Sequence, residues 1–167
     1  MMKNQMTFSQ GDMVVYPAHG VGRVTDVEDQ TIAGHTLRVF VISFEHKRMT
    51  VRLPVAKAQS AGLRSLTAQD DMERALKALK TKIKTKKSMW SRRAQEYEAK
   101  INSGNPASLA EVVRELYKDS AVEEQTYSER QIYQTALERL SHEIAAIEGI
   151  ELGKAEDKVK SMLSAVA

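Results

Sequence analysis

The sequence contains no cysteine, which excludes disulfide bridges and thiolate metal sites. Aromatic residues make up only 5% of the chain, which has a single tryptophan. No apolar run approaches the roughly 20 residues that a membrane span needs. The first five residues do not form the apolar stretch of a secretory signal. We therefore expect a cytoplasmic protein with no membrane association.

The residue patterns of common catalytic and metal sites are also missing. The histidines, His19, His35, His46 and His142, are scattered and lack the spacing of metal ligands. The pair Gly20-x-Gly22 has neither the third glycine nor the lysine of a phosphate-binding loop. No nucleophile elbow and no zinc-protease motif is present. We therefore expect no enzyme, no cofactor and no small-molecule substrate.

Charge is distributed unevenly along the chain. Residues 1–66 carry 8 basic and 5 acidic side chains, residues 67–93 carry 9 and 3, and residues 94–167 carry 8 and 14. All nine basic residues of the middle segment lie between Arg74 and Arg93, with no acidic residue among them. Such a block indicates either a polyanionic partner or a solvated, lysine-rich helix and linker. Composition alone favours neither interpretation.

Short extended segments separated by turns are typical of the first part of the chain. Residues 13–16 are apolar, the glycines at 20 and 22 indicate a tight bend, and Ala33-Gly34 marks another turn. Residues 37–44 are rich in β-branched and aromatic side chains, as expected of a strand with two apolar faces.

The alternation that follows predicts one more strand. Met49, Val51 and Leu53 would point inward, and Pro54 would end the strand. About four or five strands in so short a stretch favour a small, bent antiparallel barrel over an open sheet. We expect this β-barrel to form a first domain over residues 1–66.

From Thr67 onward, apolar residues recur with helical spacing. The short connections predict a compact all-α bundle of about five helices over residues 67–167, so the fold class is α+β with two domains. Residues 84–87 look like a polar joint between helices. The expected start and end signals are Ser88, Gly104, Asn105-Pro106, Gly149 and a capping box opening at Ser128.

Cation density and the lone tryptophan coincide in one segment. Lysines at 82, 84, 86 and 87 precede Trp90, and Arg92 and Arg93 follow it. Cations along one surface neutralise phosphates, and an indole at its edge can wedge into a minor groove or stack on a base. Trp90 also shares a helical stripe with Tyr97 and Ile101, which is typical of a core residue. The spacing alone slightly favours the core.

Four motifs give the sequence a recognisable resemblance. They are Val14–Gly22, Thr50–Pro54, Trp90–Arg93 and Leu109–Leu116, in that order and at suitable spacing. Together they resemble the CarD family of bacterial transcription regulators, also called CdnL, over nearly the whole chain. The first two are shared with the polymerase-interacting domain of transcription-repair coupling factors. The tryptophan motif with the helical part is more specific to the CarD group.

The resemblance implies a Tudor-like β-domain that binds the β subunit of RNA polymerase and a helical domain that meets promoter DNA. The tryptophan would act as a minor-groove wedge at the upstream edge of the melted bubble and stabilise the open promoter complex. Nucleoid association would then follow from polymerase binding. The implied DNA contacts are Trp90, Arg92, Arg93 and Arg130, with Lys86 and Lys87, and the implied polymerase contacts are Thr31, Ile32, Val51, Arg52, Leu53 and Pro54.

The sequence departs from the family pattern at two positions, and two other functions are compatible with it. Gln30 and Gln95 stand where some members of the family have an arginine and a lysine. A polymerase-bound protein adaptor without direct DNA contact would bury Trp90. A protein that binds free nucleic acid would do so tightly, in a salt-sensitive manner and without polymerase.

Overall fold

The computed structural model describes residues 8–81, 89–117 and 125–165. The chain divides into two compact units, Met1–Leu66 and Thr67–Ala167. The first is built from strands and the second from helices.

The β-unit is a five-stranded antiparallel sheet with the order β4-β3-β2-β1-β5. A 3₁₀-helix, Glu45–Lys47, connects β3 to β4, and a single helical turn, Val55–Ala58, follows β4 as α1. The strands are β1 (Met13–Tyr16), β2 (Gly20–Ile32), β3 (His35–Phe44), β4 (Met49–Pro54) and β5 (Arg64–Ser65).

The α+β fold class is confirmed, with one difference in how the sheet closes. Among the described residues, β4 and β5 lie at opposite edges of the sheet and do not pair with each other. The sheet is therefore open, whereas a barrel was predicted. β5 consists of only Arg64 and Ser65, which pair with β1, so its free edge is too short for a ladder with β4.

The connection from β2 to β3 is a two-residue hairpin turn. Ala33 and Gly34 have φ values of 52° and 81°, and Ile32 pairs directly with His35. Positive φ at both central residues matches the turn to the right-handed twist of the strands, as predicted for this position. The paired strands have a register shift at Thr25, where the bulge bends β2.

Gly22 does not form the bend that the sequence indicates. The turn lies at residues 17–19, and Gly22 is the third residue of β2. A Cβ atom built on Gly22 would lie 2.7 Å from Cε1 of Phe44 and 2.8 Å from Cγ2 of Ile42. Glycine is needed here because the backbone of β2 approaches buried side chains of β3, not because of its conformational freedom.

The second unit contains five α-helices among its described residues, in agreement with the predicted number. A 3₁₀-helix, Lys77–Lys80, continues α2. The helices are α2 (Gln69–Leu76), α3 (Trp90–Ser103), α4 (Pro106–Leu116), α5 (Tyr127–Glu148) and α6 (Leu152–Ser164).

The sequence signals locate most helix ends correctly. Gly104 and Gly149 end α3 and α5 with φ near 68° and 67°. Asn105 caps α4 by accepting a hydrogen bond from the amide of Ala107, ahead of Pro106. The capping box of α5 opens at Thr126 and not at Ser128, because the helix starts two residues earlier than the apolar stripe indicates.

The close approach at Gly22 predicts that alanine substitutions at two glycines change the stability of the protein in opposite directions. Gly22→Ala should destabilise the protein by about 1–3 kcal/mol, because the new methyl group overpacks the β-unit. Gly153→Ala is the control, since a Cβ there meets nothing within 4 Å and should stabilise α6 by up to about 1 kcal/mol. Urea unfolding followed by far-ultraviolet circular dichroism measures both. Equal midpoints for the two variants would contradict this account of Gly22.

Candidate nucleic-acid interface and sheet edge

Trp90 is the first residue of α3. Met89 is the N-cap residue, its backbone is extended, and it provides no side-chain cap. The expected cap, Ser88, lies outside the described residues. The first turn of α3 contains no acidic residue. Among the described residues, neither a side-chain cap from Met89 nor a first-turn carboxylate offsets the positive end of the helix dipole here.

The Trp90 indole is half-buried. It packs at the edge of the helical core and lies 6.1 Å from the Tyr97 ring, with an angle of 49° between the ring planes. Tyr97 itself is only 1% exposed. Trp90 is thus neither sealed in the core nor free of it. One part of the ring packs inward, and the rest is accessible to a partner.

Arg93 folds back over these two rings. Its guanidinium carbon lies 5.5 Å from the centre of the Trp90 ring and 5.7 Å from the centre of the Tyr97 ring. Nη2 donates a hydrogen bond of 2.9 Å to the Tyr97 hydroxyl. Nε is buried and has no hydrogen-bond partner within the described ranges. Arg93 is therefore half-buried and directed inward, unlike its neighbour Arg92, which is exposed.

Arg130 is an exposed residue in the opening turns of α5. That helix has a complete capping box, in which the Glu129 amide donates to the Thr126 hydroxyl at 3.2 Å and the Thr126 amide donates to Glu129 Oε1 at 3.0 Å. The turn that carries Arg130 is thereby fixed. The two remaining predicted DNA contacts, Lys86 and Lys87, lie outside the described residues, as do Lys82 and Lys84.

The far end of α3 does not contribute to a basic surface. Lys100 donates a hydrogen bond of 2.8 Å to Glu111, and Glu115 lies 3.8 Å away. Burial lowers the pKa of Lys100, but the hydrogen bond and the charges of the two glutamates outweigh it and raise the pKa. The positive charge of Lys100 is therefore compensated, whereas Arg92 and Arg93 at the start of α3 form no ion pair with the described residues.

The predicted polymerase contacts divide between the two faces of the sheet. Residues directly opposite each other share a face, and the register pairs Arg52 with Val41 and Leu53 with Phe40. Arg52 is exposed and forms an ion pair of 3.4 Å with Glu28, whereas Leu53 is buried in the core of the β-unit. Val51 packs against the same core. Only the backbone of these two residues is available at the open edge of β4.

The hairpin end supplies the other predicted contacts. Ile32 is 57% exposed and shares the face of Glu28 and Arg52 by strand alternation, as does Pro54. Thr31 lies on the opposite face, where its hydroxyl is 3.4 Å from that of Thr36. The structure thus brings Ile32, Arg52 and Pro54 to one face, and it separates Thr31, Val51 and Leu53 from them.

Three exposed large hydrophobic residues, Leu37, Met89 and Tyr127, were missed by the sequence interpretation. Leu37, 40% exposed, pairs with Gln30 on the face that carries Ile32. Met89, 77% exposed, directly precedes Trp90. The strand alternation would have placed Leu37 beside Ile32 had the hairpin register been known. No sequence signal marks Met89, because its exposure depends on where α3 begins.

Two other kinds of site were searched for in the described parts of the chain. No group of three or more histidine, aspartate or glutamate side chains there lies close enough together to hold a metal ion. None of the helices formed by those residues has both the length and the apolar character of a membrane span.

Comparison with known proteins gives consistent matches. Residues 8–67 match the family model of the CarD-like/TRCF RID domain, and residues 74–160 match that of the CarD C-terminal domain. The chain is 28% identical over 154 residues to "Putative transcription factor YdeB" of Bacillus subtilis (strain 168), covering 92% of this chain and 98% of that protein. A solved structure of CdnLNt from Myxoccoccus xanthus is 32% identical, with a TM-score of 0.33, and covers 41% of this chain and 97% of the other.

The capping role of Thr126 predicts that the same substitution, threonine to alanine, has different effects at two positions of the helical unit. Thr126→Ala should destabilise the helical unit by about 1 kcal/mol, because an amide in the first turn of α5 loses its acceptor. Thr135→Ala is the matched control, since that exposed hydroxyl bonds only to the Gln131 carbonyl of the same helix and its loss should not destabilise the unit. Thermal unfolding measures both, and equal losses of stability would argue against the cap.

Proposed function

Since the chain belongs to the CarD family of transcription regulators, we propose that it binds the β subunit of RNA polymerase through the β-unit and stabilises the open promoter complex through the helical unit. The resemblance noted from the sequence motifs is confirmed by these matches. In this proposal, residues 1–66 act as the polymerase-interacting domain and residues 67–167 as the DNA-contacting domain at the upstream edge of the bubble.

The observation that carries the proposal is the composition of the first turn of α3. A half-buried indole, an exposed Arg92 and a helix end without cap or carboxylate occur together there. A cation in a first turn opposes the helix dipole and costs stability, so this arrangement is unfavourable for the isolated protein. It becomes favourable when a phosphate approaches, because the exposed guanidinium and the positive helix end then act on the same anion.

Trp90 is the proposed minor-groove wedge. An inserted apolar ring must unstack a base step, and this cost is smallest where the duplex is already opening. Arg92 and Arg130, with Lys86 and Lys87, would neutralise flanking phosphates. Arg93 carries the charge for such a contact, but its guanidinium is directed towards Tyr97, so we assign it a different role below.

Promoter melting is affected only through differential affinity. A protein that binds the open complex better than the closed complex shifts the equilibrium by that difference and by no more. Tethering by the β-unit raises the local concentration of the helical unit, so weak DNA contacts suffice. Poor affinity for free DNA and a clear effect on polymerase-bound promoter are therefore expected together.

On the β-unit, the proposed contact surface is the face with Ile32, Arg52 and Pro54 together with the open edge of β4. A partner strand could pair with this edge, and the backbone of Val51 and Leu53 would then contribute, although the Leu53 side chain is buried and the half-buried Val51 side chain packs against the core. Thr31 would contact the partner only through the end of the hairpin.

Half-burial of Trp90 also supports a second candidate, a polymerase-bound adaptor whose helical unit makes no DNA contact. The indole already has a packing role at the edge of the core. The two candidates differ in whether Trp90 affects the promoter complex directly, and the next test separates them.

Trp90→Ala should shorten the lifetime of the open complex by an amount equivalent to on the order of 1–3 kcal/mol, because the stacking surface is lost. The measurement is the decay of preformed complexes on one promoter after addition of a competitor such as heparin. Trp90→Phe is the control, because it keeps an aromatic contact with Tyr97 and should give an intermediate lifetime. An unchanged lifetime with a folded Trp90→Ala protein would favour the adaptor.

Arg52→Glu should abolish binding to the β subunit while leaving the helical unit folded, because it reverses the charge at the centre of the proposed face. Arg38→Glu makes the same charge change at an exposed residue of β3 on the opposite face and should bind normally. Binding is measured by pull-down with the isolated β subunit. Retained binding by Arg52→Glu, or equal losses by both variants, would place the interface elsewhere.

A further inference from the structure

We propose that Arg93 is a positioning residue that holds the Trp90 indole in one orientation before DNA is bound. This inference rests on the proposed function, because it concerns how the proposed wedge is presented. The two can nevertheless fail separately, since the orientation of the indole is measurable in the free protein.

The geometry starts from the place of Trp90 in its helix. As the first residue of α3, it has no preceding helical turn that would restrict its side chain. Arg93 and Tyr97 follow at spacings of three and seven residues, so all three side chains lie along one face. Tyr97 is fixed because it is almost completely buried in the helical core.

Arg93 contacts both the fixed Tyr97 ring and the half-buried Trp90 indole. Its guanidinium lies within 6 Å of both ring centres, at the distances given above, in the range where a cation is attracted to an aromatic face. The hydrogen bond from Nη2 to the Tyr97 hydroxyl fixes the plane of the guanidinium. Tyr97 thereby anchors Arg93, and Arg93 supports the face of the indole.

The same contacts argue against a simple phosphate contact for Arg93. One of its terminal nitrogens is used by Tyr97, and the buried Nε is not accessible to an anion. Arg92, one position earlier, is exposed and therefore accessible to a phosphate. Adjacent arginines of the same motif thus differ in environment, and we infer that they differ in role.

Preorganisation is the expected benefit. A free indole must lose its rotational freedom when it enters a groove, and ordering one side chain reduces affinity by about two- to tenfold. If Arg93 orders Trp90 beforehand, this cost is met during folding and the open complex is stabilised by the same factor.

Arg93→Lys tests the proposal, because lysine keeps the positive charge but has no planar group to lie over both rings. We expect the emission of Trp90 to shift to longer wavelength and its quenching by acrylamide to increase in the free protein, because the indole becomes more exposed to water. Because the chain has one tryptophan, the signal comes from Trp90 alone. Open-complex lifetime should fall by about two- to tenfold.

Two further variants separate positioning from charge and from stability. Tyr97→Phe removes only the buried hydroxyl that anchors Arg93, cannot itself alter a DNA contact, and should change fluorescence and lifetime in the same direction. Arg92→Lys is the matched control in the same turn and should leave the fluorescence of the free protein unchanged. Thermal unfolding of each variant checks that α3 remains folded.

The outcomes are distinct. Unchanged fluorescence and quenching in both Arg93→Lys and Tyr97→Phe would overturn the positioning role. A shorter lifetime for Arg93→Lys with unchanged fluorescence would make Arg93 a phosphate contact and would also overturn it. If Trp90→Ala leaves the lifetime unaffected, the proposed function fails, while the fluorescence of Arg93→Lys still decides whether Arg93 orients the indole.

Discussion

The helical unit is organised around the burial of α4. Five of its apolar residues are almost inaccessible, and α2, α3 and α5 all pack against it. A helix that is buried on most of its circumference fixes its neighbours, because any shift of one of them opens a cavity. Arg114 of α4 is buried too, and its Nε donates a hydrogen bond of 2.6 Å to the Thr81 carbonyl at the end of the 3₁₀-helix. The position of α3, and with it the position of Trp90, is a consequence of this packing.

The N-termini of α3 and α5 differ in how their backbone amides and helix dipoles are compensated. At the start of α5, a capping box satisfies the backbone and a buried glutamate compensates the helix dipole. At the start of α3, the N-cap residue Met89 forms no side-chain cap, and the first turn carries Arg92 and Arg93 and no acidic residue. Local rules that are obeyed at one helix and broken at another within one unit are typical of a conflict between stability and function.

Periodicity and end signals were sufficient to predict the fold class, the number of helices and most helix ends. They act locally, so residues such as Asn105 and Gly149 have the same meaning in any tertiary context. The predictions that were wrong or incomplete concern features that depend on residues far away in the sequence. Gly22 is glycine because of Phe44 on another strand, and the open sheet depends on the length of β5. The inward orientation of Arg93 likewise depends on the burial of Tyr97, which the motif around Trp90 does not reveal.

The contact between the backbone of Gly22 and the ring of Phe44 also limits how the β-unit can change in evolution. Neither position can be enlarged alone, since the space between β2 and β3 is already filled. A side chain at position 22 becomes acceptable only when Phe44 and Ile42 both become smaller, because a Cβ there would lie less than 3 Å from each of them. The packing therefore makes positions 22, 42 and 44 dependent on one another. A larger residue at position 22 is tolerated only together with smaller residues at the other two.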